Sequence, residues 1–161
     1  ISGGEPTMQP DLIQFTEKIK KFGLLVKIDT NGTNPEVIQT LHQNKLLDYV
    51  AMDIKSAPKN YHTICETTVD ISKIQKTKDW LLAHHIDHEF RTTVLKPFHD
   101  EAEIKAIGKF CQGAQKFTLQ NFRHQKTLNP EFQKYSGFTP QELKNFKNIL
   151  TQYIPQVYIL E

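Results

Sequence analysis

The chain has 161 residues, 38% of them hydrophobic and 24% charged, with a formal net charge of +2. That is enough chain to bury one core, and the charge is too balanced to mark a nucleic-acid surface. No apolar run approaches the roughly 20 residues of a membrane span, and the start, ISGGEP, lacks the basic and apolar regions of a signal peptide.

In chain order, Pro10-Asp11 opens an apolar series at Leu12, Phe15, Ile19 and Phe22 with helical spacing, which Gly23 stops. LLVKIDTNG (24–32) is a β-rich run ending in a turn. Asn34, Pro35 and Glu36 read as the cap and first two positions of a second helix, with Val37, Ile38 and Leu41 on one face. DYVAMDIK (48–55) is a strand, nearly apolar until Asp53, as suits burial on both faces. Residues 56–69 read as a loop with one turn of helix. Ile71, Ile74 and Leu81 mark a third helix, and HEFRTTVL (88–95) a strand. Asp100 with Glu103 forms a capping box for a fourth helix carrying Ile104, Ile107 and Cys111. KFTLQNF (116–122) is a strand and 123–138 mostly loop. Thr139-Pro140-Gln141-Glu142 is a second capping box, before a helix with Leu143, Phe146 and Leu150, and VYIL (157–160) is a last strand.

This order, about five strands and five helices, predicts a single α/β domain over 1–161 with a parallel sheet. Right-handed crossovers allow an open doubly wound sheet or an arc of a (β/α) barrel. In either, ligands sit at the C-terminal strand ends, and polar residues recur there: Gly3-Gly4-Glu5, Asp29-Thr30-Asn31-Gly32, Asp53 and Lys55, Arg91, and Gln120-Asn121.

Each has an ordinary structural reading beside a functional one. Gly3-Gly4 is a turn, or a stretch that lets a ligand approach the backbone. Asn31-Gly32 is turn chemistry, which leaves Asp29 unexplained. Asp53 needs a partner: Lys55 on the same side of the strand, or a hard cation shared with Asp29. Arg91 is a counter-ion to these aspartates or a fork for a ligand carboxylate.

Other residues read as structure. His84, His85 and His88 mark a solvated helix end rather than a metal site, and Glu17, Lys18, Lys20 and Lys21 an exposed helix face. Phe117 and Phe122 read as core. Cys65 and Cys111 have no metal-ligand spacing, and Cys111 lies on an apolar helix side as a buried thiol. A reducing cytoplasm is the expected compartment.

Taken together, SGGEPTMQPDL, KIDTNG, DYVAMDIK, EFRTTV and LQNFRHQKTLNPEF resemble the radical S-adenosylmethionine (SAM) superfamily. The resemblance covers nearly the whole chain. It is in particular to activating enzymes of glycyl-radical enzymes, of the anaerobic ribonucleoside-triphosphate reductase and pyruvate formate-lyase activating types. It implies an incomplete parallel (β/α) barrel and an oxidoreductase that cleaves SAM at a [4Fe–4S] cluster. The deoxyadenosyl radical so formed takes a hydrogen atom from a glycine of a partner protein. By the same resemblance, Gly3, Gly4 and Glu5 contact the amino group of SAM. Asp29, Thr30, Asp53 and the carbonyl of Ala51 match positions that hold a monovalent cation beside it. Lys55 and Arg91 serve its carboxylate and ribose side, and Gln120 and Phe122 border the adenine.

One departure is plain: the family's C-x-x-x-C-x-x-C cluster motif is not in these 161 residues, and Cys65 and Cys111 cannot replace three spaced thiolates. The expectation is therefore a C-terminal fragment, inactive by itself, with the first βα unit absent and Ile1-Ser2 the end of a strand. A bare sheet edge at Leu24 to Asp29 would then favour dimerisation by strand pairing. The alternatives are a SAM- or partner-binding module without catalysis, a radical SAM enzyme acting on a small molecule, and an unrelated α/β enzyme using Asp29 and Asp53 as an acid–base pair.

Overall fold

A computed structural model of the chain describes residues 1–65, 68–123 and 130–160. Its elements are α1 (Leu12–Lys21), β1 (Lys27–Thr30), α2 (Pro35–Gln43), β2 (Tyr49–Asp53), α3 (Tyr61–Cys65), α4 (Ile71–Ala83), β3 (Asp87–Val94), α5 (Glu101–Phe110), β4 (Lys116–Asn121), α6 (Pro140–Leu150) and β5 (Gln156–Leu160). Short 3₁₀ turns stand at Pro6–Met8, Pro58–Asn60 and Pro130–Lys134. The strand order is β1-β2-β3-β4-β5, and β1–β2, β3–β4 and β4–β5 pair in parallel. The α/β class and the five strands are as the sequence predicts. The segment expected to hold one turn of helix carries α3, which makes six helices among the described residues, against the five expected. Residues 124–129 of the expected 123–138 loop lie outside the described residues.

Two compact units divide the chain. The first holds Ile1–Asp53 and Asp70–Glu89; the second holds Ile54–Val69 and Phe90–Glu161. In the first, Ile28, Val50 and Met52 of the strands and Ile38, Leu41, Ile74 and Leu81 of α2 and α4 are buried. Lys27 pairs with Tyr49 and Asp29 with Ala51. In the second, Phe90, Val94, Phe117, Leu119 and Val157 of the strands meet Ile104, Ile107, Leu143 and Leu150 in the core. Cys111 is fully buried at the end of α5, as expected.

The helix starts follow local chemistry. Asp70 and Asp100 accept from Ser72 N–H and Glu103 N–H, and Thr139 and Glu142 form the expected reciprocal box before α6. The Asp100 box is only half made: Glu103 turns its carboxylate away from the cap, to Ser56, Ala57 and Asn60. Three donors just past β2 outcompete one backbone N–H.

The apolar series before β1 forms the expected helix but is largely exposed. Phe15 is 49% exposed, Phe22 81% and Leu25 82%. Of α1, Leu12 and Thr16 are the buried residues, so the helix leans on its neighbours along a narrower line than its spacing suggests. Leu24 and Leu25 precede the first β1–β2 pair and lie outside the strand. Nor is β1 bare from Lys27 to Asp29: Lys27 O accepts from the Ile1 amine at 2.6 Å, and Asp29 N–H donates to Ile1 O at 3.0 Å.

This burial pattern predicts unequal costs for two phenylalanines. Phe117→Ala should lower unfolding free energy by about 3–5 kcal/mol, whereas Phe22→Ala should change it by less than about 0.5 kcal/mol. Urea denaturation followed by circular dichroism measures both, and a large loss at Phe22 would show that its ring is covered.

Candidate functional site

In the first unit, a polar knot joins the start of the chain to the end of β1. Its centre is Glu5, 9% exposed. One carboxylate oxygen accepts from Thr7 N–H at 3.2 Å, from the Thr7 hydroxyl, and from Thr30 Oγ1 at 2.8 Å. The other accepts from Asn31 N–H at 2.6 Å. These charge-assisted bonds compensate the burial of the carboxylate. Glu5 caps the Pro6–Met8 turn while bonding the N–H just past β1. Asn34 Nδ2 adds a bond to Thr7 Oγ1 at 2.9 Å.

Gly3 and Gly4 lie beside this knot with φ of 106° and 53°. A Cβ built on either meets no atom within 4 Å, so the backbone borders open space in a conformation that favours glycine. Gly32 differs: at φ 77° its Cβ would stand 2.2 Å from Met52 Cε. Its carbonyl accepts from Thr77 Oγ1 at 2.7 Å, and its N–H bonds Thr30 Oγ1 at 3.1 Å. The Asn31-Gly32 turn is thus explained by packing and turn geometry, with Thr33 N–H donating to Asn31 Oδ1 at 3.0 Å.

Parallel register puts Asp29, Ala51 and Asp53 on one face of β1 and β2. Thr30 faces the other way, and its hydroxyl is committed to Glu5 and Gly32. Asp29 and Asp53 are half-buried. Beside Asp29 stands a cation that sequence reasoning missed: Lys27 Nζ lies 3.6 Å from Asp29 and 3.5 Å from the buried Glu89.

In the second unit, the turn after β2 is anchored residue by residue. Ile54 N–H donates to Arg91 O at 2.7 Å, and Ile54 O accepts from Thr92 Oγ1 at 2.6 Å. Lys55 N–H donates to the Tyr61 hydroxyl at 3.0 Å. Glu103, buried, accepts from the Ser56 hydroxyl, from Ala57 N–H at 2.6 Å and from Asn60 Nδ2 at 2.6 Å. Arg91 is in register with Thr118 and Thr93 with Gln120, so alternation puts Arg91, Thr93, Gln120 and Phe122 on one face. Thr93 Oγ1 lies 3.3 Å from Gln120 Oε1. Phe122, half-buried, follows β4 and donates its N–H to Val94 O at 3.0 Å. Arg91 and Gln120 are half-buried too. The anchor Glu103 was legible only as a capping residue.

Other candidates resolve as structure. His84 stacks on Trp80 with centroids 4.3 Å apart and bonds Trp80 O through Nδ1 at 2.8 Å, while His88 lies on β3. Among the described residues no group of three His, Cys, Asp or Glu side chains is placed to hold a metal ion. Burial raises the pKa of the Cys65 thiol, against the lowering pull of Lys55. No helix among the described residues is long and apolar enough to cross a membrane.

Two open glycines before a carboxylate knot, and aspartates at successive parallel strand ends, accord with the comparisons with known proteins. The radical SAM superfamily model matches residues 1–111. The chain is 37% identical over 164 residues to "Putative glycyl-radical enzyme activating enzyme MJ1227" of Methanocaldococcus jannaschii, covering 99% of this chain and 68% of that one. It is 35% identical over 82 residues to 7-carboxy-7-deazaguanine synthase of Neisseria meningitidis serogroup B, covering 50% of this chain and 35% of the relative. A crystal structure of a domain of pyruvate-formate lyase-activating enzyme from Bacteroides vulgatus superposes with a TM-score of 0.79 at 19% identity. The match covers 100% of this chain and 97% of that domain, and at this identity it shows the shared fold. The chain belongs to the radical SAM superfamily.

Glu5→Gln tests the knot. An amide NH₂ cannot accept from the N–H and O–H donors around it, so the substitution should cost about 1–3 kcal/mol of stability. Amide exchange should quicken at whichever of Thr7 and Asn31 faces the NH₂ while the remaining oxygen serves the other; unchanged protection at both would show that the carboxylate is dispensable.

Proposed function

We propose that this chain is the SAM-binding part of a radical SAM activating enzyme that installs a glycyl radical on a partner protein, an anaerobic ribonucleotide reductase or a related glycyl-radical enzyme. The observation that carries this is the 37% identity, over 99% of the chain, to a protein named as a glycyl-radical enzyme activating enzyme.

We assign the SAM contacts by the resemblance, unit by unit. Gly3 and Gly4 offer backbone groups beside open space to its amino group. Glu5, in our reading, acts there by fixing that loop. Lys55 and Arg91 are cations for the carboxylate and ribose side, and Gln120 and Phe122 suit the adenine. Asp53 and Asp29, with the carbonyls of Thr30 and Ala51, are the proposed cation ligands; Lys27 competes at the Asp29 end. The residues do not fit a [4Fe–4S] cluster: Cys65 and Cys111 are the two cysteines, and Cys111 is fully buried. Cleavage of SAM therefore requires ligands from outside these 161 residues, and this chain by itself should be inactive.

The similarity to 7-carboxy-7-deazaguanine synthase over half the chain supports a second reading, an enzyme of the same superfamily acting on a small molecule. A third, a module that binds SAM or a partner without chemistry, rests on the missing cluster cysteines. Edge-strand dimerisation remains a proposal, weakened by the partners that Ile1 gives to Lys27 and Asp29.

Reading the coding DNA upstream of the Ile1 codon should reveal C-x-x-x-C-x-x-C. The intact product with reductant, SAM and a glycyl-radical partner should give 5′-deoxyadenosine and a glycyl electron-paramagnetic-resonance doublet. Nucleoside formation with a small molecule and no protein radical would favour the second reading. In the chain alone, calorimetry should find SAM binding weakened about tenfold by Asp53→Asn.

A further inference from the structure

His99 takes no part in the resemblance and lies beyond β3, outside the motifs. Yet it is 3% exposed and reaches the backbone of Lys55. Its Nε2 stands 3.1 Å from Lys55 O, and its Nδ1 3.3 Å from Leu95 N and 3.4 Å from Leu95 O. A carbonyl can only accept, so Nε2 carries the proton. In the neutral ring Nδ1 then has no proton for Leu95 O and accepts from Leu95 N–H, its shorter contact. Burial pushes the imidazole pKa below its ordinary value, against the raising effect of the Lys55 and Leu95 carbonyls and of the Glu103 and Asp100 carboxylates.

The bond closes a set around one residue. Lys55 N–H is held by the Tyr61 hydroxyl and Lys55 O by His99. The residues on either side are held by Arg91 O and Thr92 Oγ1, and by Glu103. All of these groups lie in the second unit. A lysine has four rotatable side-chain bonds, so an ammonium that must meet an anion gains from a backbone that does not move. We propose that His99 is a positioning residue: it fixes the backbone of Lys55 so that the lysine meets the carboxylate of SAM. This rests on the reading of Lys55 given above.

Two measurements on the 161-residue chain test it, one of which needs no SAM. In His99→Ala, amide exchange at Lys55 and Ala57 should quicken by at least about tenfold, while the amides of Val50, Phe117 and Leu119 in the strands keep their protection. Gln places an amide nitrogen where Nε2 stands, and Asn mimics Nδ1. His99→Gln should therefore restore protection, and His99→Asn should not. By calorimetry, His99→Ala should weaken SAM binding about tenfold and His99→Gln by less than about threefold. In a Lys55→Ala background, His99→Ala should add no further loss.

Unchanged exchange at Lys55 and Ala57 in His99→Ala overturns the proposal, as does an equal loss of SAM affinity with and without the Lys55 side chain. If the unsubstituted chain binds no SAM, the reading of Lys55 as a SAM ligand fails for this chain, and the exchange data alone decide whether His99 holds its backbone. If His99→Ala does not fold, the Gln and Asn variants carry the same comparison.

Discussion

A backbone that leaves a parallel sheet loses its ladder partners, and the N–H groups just past each strand need acceptors. That constraint organises both units. In the first, Glu5 accepts from Asn31 N–H just beyond β1; in the second, Glu103 accepts from Ala57 N–H beyond β2. Each acceptor is a buried carboxylate with further donors around it, so its charge is compensated locally. Each ties a loop that bears polar residues to an element distant in sequence.

The consequence is that the backbone past the strand ends has named side-chain partners. Gly3 and Gly4 stay open because Glu5, next to them in the chain, is the residue that anchors the loop. Thr30 commits its hydroxyl to that anchor and to Gly32 N–H. Lys55 has its backbone held on both sides by Tyr61 and His99.

Much of this was legible in the sequence. The strand ends, the second capping box at Thr139 and Glu142, and the glycines before the first turn all carry local signals. What was not legible has one cause. Phe15, Phe22, Leu24 and Leu25 have the spacing and polarity of core residues, yet are exposed, because periodicity gives a face but not what covers it. Glu103 has the spacing of a capping-box partner, but three donors from a segment 43 to 47 residues earlier claim it.

By itself the sequence determined the alternation of helix and strand, the parallel class and the motif resemblance, because these rest on propensity, spacing and residue type within short windows. Tertiary structure alone decided that Glu5 and Glu103 anchor loops, that Lys27 stands beside Asp29, and that His99 reaches Lys55. Those outcomes depend on how the folded backbone brings side chains and loops together, and no local pattern encodes them.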